Sequence, residues 1–445
     1  MIRAAILFVA LFVAAAAAAW FADHPGDVSI NWGGWRIDAS LSVVGLALVV
    51  AIVVVALIYR FWLWLAHGPS ALADNRQRAR ERRGYDALTR GLVAVAAGDA
   101  GQARKLARQA EALLESPPLT QLLSAQAAQL DGDEVAASRH FDAMLARPQT
   151  EFLALRGLLS QAMRNGQHDK ALEYAERAHR ARPDAAWASD ALFILQARAG
   201  QWQAAQATLE DATKRKTIDL ETSRRRKAVA LHAQALAAEA AGSARKALKL
   251  ADQAHSFAPD LVQAAYDAAR LQSASGKVKR AAEIIETCWR RQPHPVLAEV
   301  YGGLWPDDDA ARRLNKAHRL DAANPGHTES RIFLAGLLIE DLRFEEARAQ
   351  LEPLSKNAQP TARRVCKLMA ALEEGDSGQA SAGRDWLLRL ADAPPDAAWV
   401  CTACGQVHTI WQAHCTSCGE FDQMVWKQTD FSTVLADVEG GDAAN

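Results

Sequence analysis

Glycine recurs at Gly98, Gly132, Gly166, Gly200, Gly242 and Gly276, and each is followed five residues later by alanine, at Ala103, Ala137, Ala171, Ala205, Ala247 and Ala281. Four of the five intervals are 34 residues, and the one from Gly200 to Gly242 is eight longer. A period of 34 is that of helix-turn-helix repeats. It constrains the fold more than any other feature, because a unit of that size buries its apolar face only by stacking on its neighbours. Most of the 445 residues are therefore expected to form an α-solenoid, with helices throughout. Such a fold offers surface to partners more readily than it builds a catalytic centre.

The clearest copy runs Asn165-Gly166-Gln167-His168-Asp169-Lys170-Ala171, then Ala178 and Pro183. The glycine ends the first helix in a left-handed conformation. The alanine lets the second helix approach closely, and the proline stops it. Pro259 and Pro293 keep the same offset from Gly242 and Gly276, and Ala110, Ala178, Ala212 and Ala254 recur seven residues after the first alanine. This Gly, Ala, Ala, Pro pattern resembles the tetratricopeptide repeat, in degenerate copies. The array is expected over residues 91–390. Phe344 with Ala347 and Gly375 with Ala380 fit two further turns. Pro293, Pro295, Pro306 and Gly302-Gly303 interrupt the pattern between Arg290 and Pro325, which predicts an irregular copy or a bend.

Residues 2–22 and 41–66 are apolar apart from Arg3 and Arg60, and each is long enough to cross a hydrocarbon layer of roughly 30 Å. They predict a membrane hairpin over residues 1–66, with a short loop at 23–40. Val28 to Asp38 alternates around Gly33-Gly34 and reads as a β-hairpin. The loop is acidic, whereas Arg76, Arg78, Arg80, Arg82 and Arg83 follow the second span. That bias is expected to keep both termini and the main body on the cytoplasmic side, with the loop outside. Trp62 and Trp64 would lie at the inner interface. A cleaved signal peptide is the alternative for the first span. Residues 67–90 read as a basic juxtamembrane linker, with lipid headgroups or plain solvent around its arginines.

The eight extra residues coincide with Lys214, Arg215 and Lys216 and with Arg224, Arg225, Arg226 and Lys227. They form either a basic ridge for an acidic partner or membrane surface, or a lengthened, solvated helix pair. Net charge is −1, so no bulk attraction to nucleic acid is implied. The pattern does not specify an oligomeric state.

Four of the six cysteines lie in one short stretch: Cys401-Thr402-Ala403-Cys404-Gly405 and, ten residues later, Cys415-Thr416-Ser417-Cys418-Gly419. Each CxxCG is a knuckle, and two knuckles supply a closed tetrahedral four-thiolate shell of the structural type. Zinc is the default ion, and rubredoxin-like iron uses the same geometry. Trp411, Phe421 and Trp426 would cover a small sheet around the site, giving a ribbon at 391–430 and a tail at 431–445. A reducing cytoplasm disfavours two disulfides instead. His408 and His414 are expected at the surface, outside the shell. Cys288 and Cys366 are expected to be small buried apolar residues.

No dinucleotide fingerprint, phosphate loop, CxxCH motif or acid–base constellation is present, so an enzyme is not expected. The order of parts resembles the proteobacterial HemY family of inner-membrane proteins. Gly26-Asp27-Val28-Ser29-Ile30 through Trp35-Arg36-Ile37-Asp38, the span from Leu41, the arginine-rich entry and Ala94 to Ala103 carry the likeness. The resemblance implies a role beside haem biosynthesis, with haem-pathway enzymes as protein partners. It does not extend to the flavin-dependent protoporphyrinogen oxidase of the same name, whose dinucleotide fold is missing here. The ribbon and repeats together also resemble the LapB-type adaptors of lipopolysaccharide assembly. The functional expectation is a membrane-anchored scaffold. A regulatory envelope adaptor and a porphyrin or haem carrier are the alternatives.

Overall fold

The computed structural model describes residues 27–33, 35–114, 117–357, 361–379 and 381–429, with positions 12 and 16. The expected first span at 2–22, Ala380 and the tail at 431–445 otherwise lie outside the described residues, as does the side chain of Trp64. The chain divides into two compact units, residues 1–144 and 145–445.

In the first unit, β1 (Asp27–Trp32) pairs antiparallel with β2 (Trp35–Ser40), with Trp32 opposite Trp35. Gly33 turns the hairpin at φ 65°, a conformation that favours glycine. A single helix, Leu41–Ala96, follows directly. Its segment Val43–Trp62 has a mean hydropathy of 2.7 and no buried residue, so it is long and apolar enough to cross a membrane. The stretch read as a linker, 67–90, is helical throughout. Its far end already belongs to the repeats, since Ala87, Leu88 and Ala94 pack in one core with Ala103, Leu106 and Leu123. A Cβ at Gly84 or Gly91 would fall 2.6 Å from Leu114 or Leu123, so these two glycines are set by helix packing.

The periodic residues take the places their chemistry predicts. All six turn glycines have φ between 66° and 80°, and a Cβ on any of them would meet nothing within 4 Å. The backbone conformation alone therefore selects glycine. At Gly166 the N–H of Gln167 donates to the Ala162 carbonyl at 2.9 Å, and equivalent bonds close the other turns. This Schellman pattern satisfies the last carbonyls of each first helix. The alanines five residues on are all fully buried. Seven residues later the buried position is Ala110, Met144, Ala178, Ala212, Ala254 or Cys288. Leu342 occupies the turn position ahead of Ala347 and takes φ 61° without being glycine.

Gly375 departs from the expected turn. It lies inside the Arg363–Ser377 helix, where the Phe344 ring sits 2.6 Å from the place of its missing Cβ. Gly378, at φ 66°, ends that helix. The eight-residue excess goes into one first helix: Leu220–Ala240 has 21 residues, against 13 in Ala186–Arg198 and in Val262–Ala274. The interrupted stretch holds an irregular copy: the nine-residue Pro295–Gly303 helix packs on Val262–Ala274, whereas Ala310–Ala323 packs chiefly on Thr328–Glu340. Beyond the last helix, β3 (Ala398–Cys401) lies between β4 (Val407–His408) and β5 (Met424–Lys427) in an antiparallel sheet.

Candidate metal centre

The two knuckles are the same turn made twice. The Gly405 N–H donates to the Cys401 carbonyl at 2.9 Å, and the Cys401 N–H donates to Gln406. The Gly419 N–H donates to Cys415 at 2.8 Å, and the Cys415 N–H donates to Glu420. The four sulfurs lie within 4.8 Å of one another, with Cys401 and Cys418 3.7 Å apart and Cys404 and Cys415 3.6 Å apart. A tetrahedral ion with metal–sulfur bonds of about 2.3 Å needs sulfur–sulfur edges of about 3.8 Å. A disulfide needs about 2.05 Å. The donor set therefore fits one metal ion and not two disulfides.

Burial pushes the Cys415 thiol up, but the amides of Cys418 and Ser417 and the His408 ring outweigh it and draw it down to about 6. The His408 Nε2 lies 3.4 Å from the Cys415 sulfur, which suits an outer partner of a metal-bound thiolate. His414 corrects the expectation of a surface residue. Its ring packs against Trp202 and Phe421, and burial, with Arg198 nearby, lowers its pKa to about 4.

The reason is that the ribbon does not stand free. Phe421 meets Phe193 edge-on at 5.3 Å, Trp411 meets His232 at 5.8 Å, and Trp399 stacks on His294 at 5.4 Å. Trp426 reaches the same His294 ring at 4.2 Å. Asp422 takes two hydrogen bonds from Arg225, at 2.7 and 3.1 Å. A Cβ at Gly419 would fall 2.1 Å from the Arg198 guanidinium, so this turn glycine also admits the solenoid. Phe193, Arg198, Arg225 and His232 all lie on first helices of repeat pairs, and His294 caps another. The first-helix face of these repeats is thus covered here by the chain's own C-terminal module.

Beneath it lies a polar network that the sequence did not announce. The His232 Nε2 and Asp267 Oδ2 are 2.8 Å apart, both residues are buried, and Arg270 bridges Asp267 to Glu239. Burial raises the Asp267 carboxyl, but His232 and Arg270 outweigh it and hold the pKa low. The only sequence signal was the separation of His232 and Asp267 by 35 residues, close to one repeat, on successive first helices.

The basic residues divide. Arg225 binds Asp422 and Asp260, Arg226 pairs with Asp190 and covers Phe193, and Lys227 pairs with Glu210. Arg215 binds Asp211 one turn back, Lys214 ends its helix, and Lys216 follows at φ 58°. Arg224 lines a cleft of about 1050 Å³ with Arg225, Arg226, Arg291, Asp260 and Asp422. Cys288 and Cys366 are buried as expected, and burial pushes the Cys288 thiol up to about 12. One further row is Ser189, His179 and Asp211, with hydroxyl and ring 3.2 Å apart and ring and carboxylate 3.8 Å apart. Ser189 lies within a helix, where its own N–H donates to Ala185, so the neighbouring amides are spent on the helix and offer no oxyanion hole.

These features define a class: a helical-repeat protein of tetratricopeptide type, with one helix apolar enough to span a membrane and a four-cysteine ribbon. Residues 26–132 match the family described as HemY protein N-terminus. It is 29% identical to Protein HemY of Escherichia coli over 189 residues, which span 40% of this chain and 46% of that protein. It is 28% identical over 431 residues to the "Probable magnetosome protein Mms48" of Magnetospirillum gryphiswaldense, covering 96% of this chain and 94% of that one. Among solved structures it is similar to the MamA protein at 18% identity and a TM-score of 0.28, over 39% of this chain and 91% of that chain.

Proposed function

We propose that this protein is a non-enzymatic scaffold, tethered to the bacterial inner membrane, whose helical repeats gather protein partners. The observation that carries the reading is the Leu41–Ala96 helix. One end is apolar and unburied among the described residues, and the other is built into the first repeat. A tetratricopeptide surface held to a membrane suits recruitment more than turnover. The HemY likeness makes enzymes of tetrapyrrole synthesis the first candidates for partners, with the repeats on the cytoplasmic side. The four thiolates would hold a structural zinc ion, with iron as the competing ion. Metal analysis and the visible absorption of an iron–thiolate centre separate the two.

The test is crosslinking in cells, followed by solubilisation and identification of the captured proteins. Haem-pathway enzymes on the wild type, together with porphyrin accumulation on deletion, support the reading. Stoichiometric porphyrin binding by the purified protein with no captured partner would replace it with a carrier. A second reading draws on the whole-length relative, whose name ties that protein to the magnetosome. The clients would then belong to an internal membrane compartment, and the same capture would return those proteins with porphyrin levels unchanged.

A further inference from the structure

The ribbon and the helices beneath it share one set of side chains. Trp399, Trp411 and Phe421 are buried in the same core as Phe193 of the solenoid. The ribbon's strands have four, two and four residues, short for a sheet that stands alone. The second knuckle shapes the part that docks. Trp411 lies four residues before Cys415, and Phe421 three after Cys418. The Asp422 N–H donates to the Ala413 carbonyl at 2.8 Å, and His414 bridges to Phe421, so the knuckle closes the loop that carries the docking residues. Holding Cys415 and Cys418 on one ion therefore fixes the surface that meets the repeats.

Docking also leaves hydrogen bonds unmade. The His294 Nδ1 accepts from the Val296 N–H at 3.2 Å, which leaves the proton of the neutral ring on Nε2. That Nε2 and the Trp411 Nε1 are buried, and neither finds a partner among the described residues. Both would be hydrated on an open face, and a buried donor without an acceptor costs free energy. Apolar contact holds the ribbon down against that cost.

The seats beneath are defined by what fills them. The Phe421 ring meets Phe193, and the neighbouring Asp422 takes both hydrogen bonds from Arg225. His232 keeps Asp267 as its own partner whether the ribbon is present or not. An uncovered face would thus offer one aromatic and one cationic seat for adjacent residues of a peptide.

We propose that the ribbon is a cover held shut by its metal ion, and that the face beneath receives a partner segment with an aromatic residue next to an acidic one once the ion is gone. The partner rests on the scaffold reading, and the cover does not.

Carbethoxylation of histidines in the full chain in detergent, read residue by residue by mass spectrometry, tests the cover. His232 and His294 should be protected in metal-loaded protein and react about tenfold faster after chelation or in Cys415→Ser. His255, buried within the Ala244–Phe257 helix of the same repeats, should stay protected, which separates opening from melting. Protection of His232 and His294 in protein shown to hold no metal would overturn the proposal, and so would reaction of all three together. A peptide of residues 413–424, with Cys415→Ser, Cys418→Ser and benzoylphenylalanine in place of Phe421, tests the seats. It should photolabel the Ala186–Arg198 helix of metal-free protein, and Asp422→Asn in the peptide should weaken that about tenfold. No labelling, or labelling indifferent to that change, would overturn the partner's chemistry. Failure to capture any protein in cells would sink the scaffold reading and leave the histidine footprint as it is.

Discussion

At the scale of single residues, backbone conformation and side-chain volume account for the repeat pattern. A left-handed turn costs a residue with a Cβ roughly 1–2 kcal/mol. Gly166→Ala should therefore lower the unfolding free energy by about 1 kcal/mol. Leu342→Gly should raise it by about 1 kcal/mol, because Leu342 holds φ 61° while largely exposed. Thermal unfolding of both variants checks the pair, and equal shifts of the same sign would remove conformation as the cause. Two buried histidines make a pH prediction. Burial lowers His255 and His294 from 6.5 to about 4. Both rings are neutral when folded and take up a proton on unfolding below pH 6.5. Their contribution is complete above pH 6.5 and is lost as pH falls toward 4, by up to about 3 kcal/mol each. Melting at pH 7 and pH 5 should show the loss, and His294→Gln should reduce it.

At the scale of elements, the two added turns of the Leu220–Ala240 helix matter because they carry Arg225 to Asp422. The pair is bidentate and partly buried, and such charge-assisted pairs are worth about 2 kcal/mol. Arg225→Ala should loosen the ribbon by that order, seen as faster exchange in residues 398–427, and Asp422→Ala should add little to it. Additive effects would show that the pair does not act as one contact. The same helix shows what the sequence disclosed and what it withheld. Its extra length was legible as a slip in the period, and its charges were legible as a cluster. Their partner was not, since Asp422 lies 197 residues away in an ordinary Phe-Asp-Gln context. The knuckles were legible because thiol spacing is local. The docking of the ribbon was hidden because Phe193, His232 and His294 are each unremarkable within their own helices. Gly375 was misread because glycine marks both a left-handed turn and a close approach, and the letter alone does not say which.

At the scale of the molecule, the ribbon belongs to the unit of residues 145–445, and its knuckles share a core cluster with the solenoid helices beneath. Removing a metal ion held by the four cysteines should therefore act well beyond their sulfurs. Chelation, or Cys415→Ser, should shift the emission of Trp399, Trp411 and Trp426 to the red and lower the melting temperature of this unit. Exchange in residues 84–114 should stay as it was. An unchanged melting profile would show the ribbon to be a passive appendage.

The unbroken Leu41–Ala96 helix sets a distance as well as an attachment. Arg80, which donates to the Ala112 carbonyl of the next helix at 2.8 Å, comes 18 residues after Trp62, which is about 27 Å along a helical axis. With Val43–Trp62 in a bilayer, that length is a ruler between the headgroups and the first pair of helices. If the protein recruits clients as proposed above, one lying flat on the lipid surface falls short of it. One that projects some three nanometres from the membrane arrives at the right height.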